Sequence, residues 1–504
     1  MNRRERRQAK KAARKGAGGI AMAPAEIQQQ FQQAVGLFQQ GNPAAETALR
    51  AIETDVPGIP EVAHLLGIVL LQTGRAAEAV APLDRATRAL PRDPAPANLL
   101  GVACQQAGDL DAAFAAFGKA LARNPDFTDA HFNFGNALRD AGRDADAADH
   151  FREAARLEPE FADAHYNLAL AEARRGRFEA AIESYRKALA LAPDQADAHI
   201  GLSRVLTMLH RHAEGEAEAR AALSLAPDAM EAHSNLARAL QGQGRLDEAA
   251  AAMREAIARA PDNASLHANL GNILEDSDEV DAAETAYREA ISRDPDFAAA
   301  HTNLGLLLLL NRRYEEGWRE FDWRWRTGGR ALRPFAQPRW SGDDLSGRTI
   351  LAWADEGAGD EILFASLLPD LIARAGTVVV ECDTRLAGLF ARAFPDAEVH
   401  ARKDPPARRL LADDIDVQTP FTELARWLRP DLAAAAPPDR AYLHADPAMA
   451  AECRERYRAL GDGLVVGIAW ASGNLLRPDR NAPLALWDPV LRLPGLRFVS
   501  LQYG

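Results

Sequence analysis

The sequence predicts an all-α solenoid of helical repeats, followed by an α/β region with parallel strands. Two observations predict the solenoid: proline recurs every 34 residues through more than half of the chain, and the segments between the prolines keep the same small and aromatic positions. A third predicts the α/β region, because short apolar strands alternate with helical segments from Arg348 onward. The recurring prolines are Pro57, Pro91, Pro125, Pro159, Pro193, Pro227, Pro261 and Pro295.

The sequence pattern within each repeat predicts two antiparallel helices that approach each other closely at a small residue. In the repeat that begins at Thr128, Gly135 allows the approach, Phe151 fills the gap, and Pro159 ends the second helix because it has no N–H to donate. This 34-residue pattern resembles the tetratricopeptide repeat. We therefore predict a tetratricopeptide solenoid with a capping helix over residues 26–326.

Composition narrows the class of protein. A chain of 504 residues is expected to hold two or three domains, and its net charge of −13 argues against a general nucleic-acid binder. No run approaches the roughly 18–20 apolar residues of a membrane span. The three cysteines are widely spaced, which suits a reducing cytoplasm and predicts neither a disulfide framework nor a zinc site.

Residues 1–25 predict a disordered basic arm. Its first 16 residues hold eight Lys and Arg against the single acidic residue Glu5, without the apolar region of a secretory signal. The arm is either solvated, which we favour, or it touches an anionic surface such as lipid or RNA.

Aromatic and arginine side chains alternate in Tyr314–Arg326, at the end of the last repeat. This strip either binds a ligand or packs onto the next domain, and we favour packing because a terminal repeat must cover its apolar end. Gly, Pro and Arg then predict a linker over residues 327–347.

Residues 348–436 predict a Rossmann-like first lobe, and residues 437–504 only the start of a second, incomplete lobe. A doubly wound lobe requires several βαβ units of roughly 30 residues each. Helices are expected at about 360–374, 384–394 and 447–460. The predicted strands are Thr349–Ala354, Thr377–Cys382, Ala397–Ala401, Asp416–Thr419, Leu464–Trp470 and Arg497–Leu501.

Six histidines recur at the repeat interval and suggest a metal site at first sight. Equivalent positions in stacked repeats lie roughly 10 Å apart, whereas the ligands of one zinc ion each lie about 2 Å from it. We therefore predict a packing role and no metal. These residues are His131, His165, His199, His233, His267 and His301.

Five asparagines follow the histidines by two residues, in the first helix of their repeats. That helix is expected to line the concave side, where a ladder of amides can donate to and accept from an extended peptide. The alternative is that each asparagine bridges neighbouring helices. The predicted peptide-binding residues are Asn133, Asn167, Asn235, Asn269 and Asn303.

A Gly-rich loop joins the first strand of the α/β region to its helix. Gly357 and Gly359 fit part of a dinucleotide fingerprint, but Ile362 occupies the third small position. The acidic residues Asp355 and Glu356 would also repel a pyrophosphate, so the sequence predicts no dinucleotide cofactor.

Asp360 of this loop has two interpretations. A carboxylate at the start of a helix is stabilised by the helix dipole, so Asp360 is either a plain N-cap or a general base that faces an acceptor hydroxyl. Glu361 and Asp355 are the alternative bases. Farther along, Ser472, Asn474 and Arg480 follow a buried strand and suit a diphosphate leaving group.

Taken together, these residues resemble the bacterial tetratricopeptide-repeat glycosyltransferases. The repeats look like those of O-GlcNAc transferase, whose asparagine ladder holds acceptor peptides. The C-terminal region is similar to the heptosyltransferase family (glycosyltransferase family 9), through the Gly-x-Gly-Asp loop ending at Asp360 and the Val-Gly-Ile-Ala-Trp strand ending at Trp470. The resemblance implies that Asp360 is the base, that Gly357, Gly359 and Glu361 form the acceptor loop, and that Ser472, Asn474 and Arg480 contact the donor phosphates.

The resemblance implies a metal-independent, inverting transferase without a cofactor, or a fragment of one. It would move a sugar from a nucleotide-sugar donor to an acceptor protein or peptide recruited by the repeats. The alternative is a non-catalytic adaptor whose solenoid binds peptides, and the incomplete second lobe favours it.

Overall fold

A computed structural model describes residues 25–327, 333–430, 441–459, 461, 463–469 and 483–501. Residues 1–24, which hold almost all of the predicted basic arm, lie outside these ranges. The chain divides into two compact units, residues 1–300 and residues 301–504. Within the described ranges, no helix is both long and apolar enough to cross a bilayer.

The N-terminal unit is a run of helix pairs, which confirms the predicted all-α solenoid. The first helices of the pairs are α1 Ala25–Gln39, α3 Pro60–Gln72, α5 Pro94–Gln106, α7 Thr128–Asp140, α9 Ala162–Arg174, α11 Ala196–Met208, α13 Met230–Gln241 and α15 Ala264–Asp276. Their second helices are α2 Ala44–Asp55, α4 Ala76–Ala89, α6 Leu110–Arg123, α8 Asp144–Leu157, α10 Phe178–Leu191, α12 His212–Leu225, α14 Leu246–Arg259 and α16 Val280–Arg293. The division between the units falls near the start of α17, Ala298–Leu310, which α18, Tyr314–Phe321, follows.

The core of each repeat forms where a glycine of the first helix meets an aromatic ring of the second. A Cβ added to Gly101 would lie 2.5 Å from the Phe117 ring, and one added to Gly135 would lie 2.7 Å from the Phe151 ring. Both rings are fully buried. The small residue therefore sets the distance between the two helices, as the sequence predicts.

The C-terminal unit contains a four-stranded parallel sheet in the order β3-β2-β1-β4. The sequence predicted all four strands to within two residues. Their bounds are β1 Thr349–Trp353, β2 Thr377–Cys382, β3 Ala397–Ala401 and β4 Val417–Pro420. A second sheet pairs β5, Leu464–Ile468, with β6, Leu496–Ser500, again in parallel.

The helices of this unit differ from the prediction in two places. One helix was expected at about 360–374, but two short ones form, and α22, which follows Pro420, was not predicted. An α-helix nevertheless begins well after a proline, whose extended backbone suits the N-cap. The helices are α19 Ala358–Ala365, α20 Leu368–Ile372, α21 Ala387–Ala393, α22 Phe421–Leu428, α23 Pro447–Arg458 and α24 Asp488–Leu491. Short 3₁₀ helices span Asp322–Arg326, Arg408–Leu411 and Leu484–Trp487.

The aromatic-basic strip packs within the C-terminal unit, as the favoured interpretation predicts. The Trp325 ring lies 5.9 Å from that of Trp353 on β1, and Arg324 is 2% exposed. The Arg324 guanidinium donates to the Thr422 hydroxyl over 2.9 Å. Part of the predicted linker also joins this core, because Trp340 is buried and its backbone N–H donates to the Gln418 carbonyl oxygen.

Candidate functional site

The loop after β1 lies at the carboxyl edge of the four-stranded sheet. Strand order reverses between β1 and β4, and ligands of open parallel sheets bind beside such a reversal. The position is occupied by the protein itself. The Asp355 carboxylate accepts hydrogen bonds from the Thr422 backbone N–H, over 3.2 Å, and from the Thr422 hydroxyl. Its side chain is 1% exposed, so Asp355 joins the β1 loop to α22 and cannot meet an acceptor hydroxyl in this conformation.

Glu361 also has a structural role in this conformation. It is 2% exposed, and its carboxylate accepts a 2.7 Å hydrogen bond from the Asp383 backbone N–H. Burial raises the pKa of Glu361, while the Asp383 hydrogen bond and the charge of Arg402 oppose that rise. Glu361 thus ties the loop after β1 to the loop after β2.

Asp360 is the exposed carboxylate of this loop. It lies in the first turn of α19, but the N-cap is Gly357, so the interpretation of Asp360 as a plain N-cap is wrong. A Cβ on Gly359 would meet nothing within 4 Å, which leaves open space beside the carboxylate. The geometry allows Asp360 to accept a proton from a molecule in solvent, and its role as a base stays a prediction. Ser472, Asn474 and Arg480 lie outside the described residues.

The recurring histidines hold the connections between repeats. In each of five repeats, the histidine Nε2 lies within hydrogen-bond distance of the carbonyl oxygen of the recurring proline six residues earlier. Since a carbonyl only accepts, Nε2 carries the proton in these pairs. The distances are 2.8 Å for His131, 3.0 Å for His165, 3.2 Å for His199, 2.9 Å for His233 and 2.9 Å for His267.

The predicted asparagine ladder already has partners inside the solenoid. Asn133 donates to the side-chain oxygen of Asn98 over 3.2 Å, and Asn235 donates to the Ile200 carbonyl over 3.0 Å, each on the preceding first helix. Asn167 donates to the Asp163 carbonyl over 2.8 Å and accepts from Arg139. The sequence analysis did not predict a role for Asn98. It lies one residue before the position equivalent to Asn133, so the 34-residue interval does not reveal it.

Asn269 differs from those three. It is half-buried in α15, and no described residue forms a hydrogen bond with its side chain. Its amide is therefore the member of the ladder that can meet a peptide without first giving up an internal partner.

Sequence profiles of the tetratricopeptide repeat match residues 31–94, 98–157, 133–196, 172–240, 240–302 and 286–319. Over 214 residues, the chain is 36% identical to Protein FlbA of Caulobacter vibrioides, a match that covers 39% of this chain and 36% of FlbA. The chain thus spans about a third of the length of that relative.

Two solved structures resemble parts of the chain. MamA is 26% identical, with a match that covers 32% of this chain and 95% of MamA at a TM-score of 0.31. YrrB, described as a TPR protein with an unusual peptide-binding site, is 24% identical, with coverage of 37% and 95% and a TM-score of 0.33.

Proposed function

The chain belongs to the tetratricopeptide-repeat proteins, and on this premise we propose that its solenoid is an adaptor surface that binds an extended peptide segment of another protein. The observation that carries the proposal is the set of asparagine amides repeated along the first helices. Their spacing follows the repeat, so these positions recur along one surface, where Asn269 is half-buried while Asn167 and Asn235 are buried against neighbouring groups.

An amide suits this role because it both donates and accepts, and can therefore pair with peptide N–H and C=O groups whatever the peptide's side chains. Asn269 is available at once. Asn235 would exchange its bond with the Ile200 carbonyl for one with the peptide, an exchange that costs little when a new hydrogen bond replaces the old one.

Binding of peptides selected from a random library against the whole chain tests this proposal. We expect the double substitution Asn235→Ala and Asn269→Ala to weaken binding by about tenfold or more, measured by fluorescence anisotropy. Lys119→Ala changes an exposed residue of the second helix α6 and is the matched control, which should bind as the wild type does. Equal losses in both variants, or none in either, would contradict the asparagine surface.

A second candidate function is sugar transfer from a nucleotide-sugar donor to an acceptor. It is favoured by one observation, the exposed carboxylate of Asp360 at the carboxyl edge of the parallel sheet. In this reaction, the acceptor oxygen attacks the anomeric carbon, its proton passes to Asp360, and the nucleoside diphosphate leaves. Ser472, Asn474 and Arg480 are the predicted phosphate contacts.

Incubating the chain with UDP-, GDP- and ADP-sugars, and following nucleoside diphosphate release with acceptor present, tests the second candidate. Asp360→Asn is expected to lower the rate by about 10²–10⁴-fold. Asp413→Asn, which changes an exposed aspartate of the same unit, should leave the rate unchanged. No transfer by the wild type, or full transfer by Asp360→Asn, would exclude it.

A further inference from the structure

Four consecutive first helices each carry an arginine in their C-terminal half: Arg139 on α7, Arg174 on α9, Arg204 on α11 and Arg238 on α13. Arg204 and Arg238 occupy equivalent positions, 34 residues apart. In their own repeats, the positions equivalent to Arg204 are 136 and 170. Arg139 lies three residues after the first of these, and Arg174 lies four residues after the second. Residues spaced by three and four share one face of a helix, so the four arginines form a row, which we term the arginine row.

The arginine row lies on the surface that carries the asparagines. Arg139 donates to the side-chain oxygen of Asn167 on the next first helix. Binding at the arginines and at the amides would therefore involve the same stretch of peptide.

The positive charge of the row is only partly neutralised. Asp140 lies 3.6 Å from Arg139, and Asp144 lies 3.5 Å from Arg174. Arg204 and Arg238, by contrast, are exposed and have no carboxylate within 4 Å among the described residues.

The arginines directly before the second helices α12 and α14, unlike Arg204 and Arg238, are paired with carboxylates. Arg211 and Arg245 each form an ion pair with a glutamate three residues later, at 2.7 Å and 2.6 Å. An arginine of the first helices without a carboxylate partner keeps its positive charge for an incoming anion. The acidic residues Asp197 and Glu231, in the first turns of these helices, stand seven residues before Arg204 and Arg238. That is roughly 10 Å along the helix axis, where salt screens part of their charge.

Tyr166 lies on α9 with Arg174, within range of the charges of the row. Burial and the charge of Asp197 raise the pKa of Tyr166, and the charges of Arg139, Arg204 and Arg174 oppose that rise. Its ring packs 6.1 Å from that of Tyr185. Met208 stands in the position equivalent to Arg174 and is 45% exposed. The row therefore offers guanidinium groups beside an aromatic ring and a flexible apolar side chain.

We propose that the arginine row binds an acidic segment of a partner protein, in which carboxylates alternate with apolar residues. The proposal rests on the peptide-binding function and names the chemical class of the peptide. Carboxylates would pair with the guanidinium groups of Arg204 and Arg238, which have no carboxylate partner among the described residues, and an apolar side chain would cover Met208. A protein segment is favoured over RNA because asparagine amides adjoin the row and can pair with the N–H and C=O groups of a peptide backbone.

Fluorescence anisotropy with the full chain and three labelled peptides tests the inference. The peptides consist of repeated Asp-Glu-Leu, Ser-Gln-Leu and Lys-Lys-Leu triplets, and single-stranded RNA is the fourth probe. We expect the acidic peptide to bind at least about tenfold more tightly than the neutral one, and its affinity to fall as salt rises.

Matched variants locate the binding. Arg204→Gln with Arg238→Gln should remove most of the preference for the acidic peptide. Arg254→Gln should retain it, because this arginine of the second helix α14 is exposed and, in the described part of the chain, has no carboxylate partner. Far-ultraviolet circular dichroism checks that each variant is folded.

Three outcomes would overturn the inference: equal affinity for the acidic and neutral peptides, an unchanged preference in the double variant, or tighter binding of RNA that the double variant abolishes. If the neutral peptide binds and Asn235→Ala with Asn269→Ala weakens it, the peptide-binding proposal survives the failure of this one. If no peptide binds, both fail.

Discussion

At the scale of single residues, the glycines of the first helices govern the stability of the solenoid. Alanine at Gly101 would place its Cβ 2.5 Å from the buried Phe117 ring, a contact that must displace the ring or the helix. We expect Gly101→Ala to lower the free energy of unfolding by about 1–2 kcal/mol, although alanine by itself favours a helix.

Gly118→Ala is the matched control, because this glycine lies in α6 next to Phe117 and nothing would lie within 4 Å of its Cβ. It should raise the free energy of unfolding by about 0.5–1 kcal/mol. Urea denaturation followed by circular dichroism measures both variants, and a loss of stability in Gly118→Ala would argue against the packing explanation.

Two histidines should make the N-terminal unit sensitive to acid. Burial lowers the pKa of His64 to about 4, and burial together with the charge of His131 lowers that of His150 to about 4. The unfolded chain takes up these protons at about pH 6.5, whereas the folded chain does so only near pH 4. The free energy of unfolding therefore falls as the pH drops from about 6.5 to about 4, by on the order of 2–3 kcal/mol for each histidine that stays neutral in the folded chain.

His64→Leu should weaken this pH dependence. We expect the thermal midpoint of the wild type to fall between pH 7 and about pH 4.5, and that of His64→Leu to fall less. His444→Gln removes an exposed histidine and should follow the wild type. A parallel decline in wild type and His64→Leu would show that His64 does not contribute.

At the scale of the elements, the turn between the two helices of a repeat needs a left-handed backbone at one position. Five repeats place glycine there, with φ between 72° and 85°. These glycines follow the 34-residue interval and are Gly74, Gly108, Gly142, Gly176 and Gly244. His210, Asp278 and Arg312 occupy the equivalent position with φ of 58°, 61° and 63°. A side chain costs roughly 1–2 kcal/mol in this conformation.

Asp278→Gly should therefore stabilise the chain, by about 0.5–1 kcal/mol after the greater freedom of glycine in the unfolded chain is counted. Asp278 is exposed, so the change removes little packing. The converse change Gly244→Asp should destabilise by a similar amount. Urea denaturation measures both, and a gain in stability for Gly244→Asp would contradict the argument.

At the scale of the whole molecule, long-range polar contacts fix the C-terminal unit. Arg324 is buried, lies 3.8 Å from Asp355, and donates to Glu423 over 3.3 Å. Removing the guanidinium leaves two buried carboxylates without this partner. We expect Arg324→Met to cost about 3–5 kcal/mol, measured by urea denaturation with tryptophan fluorescence.

Arg319→Met is the comparison, since this arginine is 64% exposed and lies 4.0 Å from Glu315. Surface pairs of this kind contribute about 0–1 kcal/mol. If the two variants lose the same stability, the buried network is not the cause.

The sequence alone determined the solenoid because the packing of a repeat is local. Gly101 meets Phe117 sixteen residues later, and five of the recurring histidines bond a proline six residues earlier, so the pattern within one repeat contains the interaction. The two central strands β1 and β2 were likewise predictable, because a strand buried on both faces is a largely apolar run.

Only the tertiary structure decided which polar groups of the C-terminal unit are used internally. Asp355 bonds Thr422, which is 67 residues away, and Glu361 bonds Asp383, which is 22 residues away. No local period relates such partners, because chain topology brings them together at one sheet edge. Three neighbouring carboxylates that look equivalent in the sequence are thereby separated into two buried structural groups and one exposed one, Asp360.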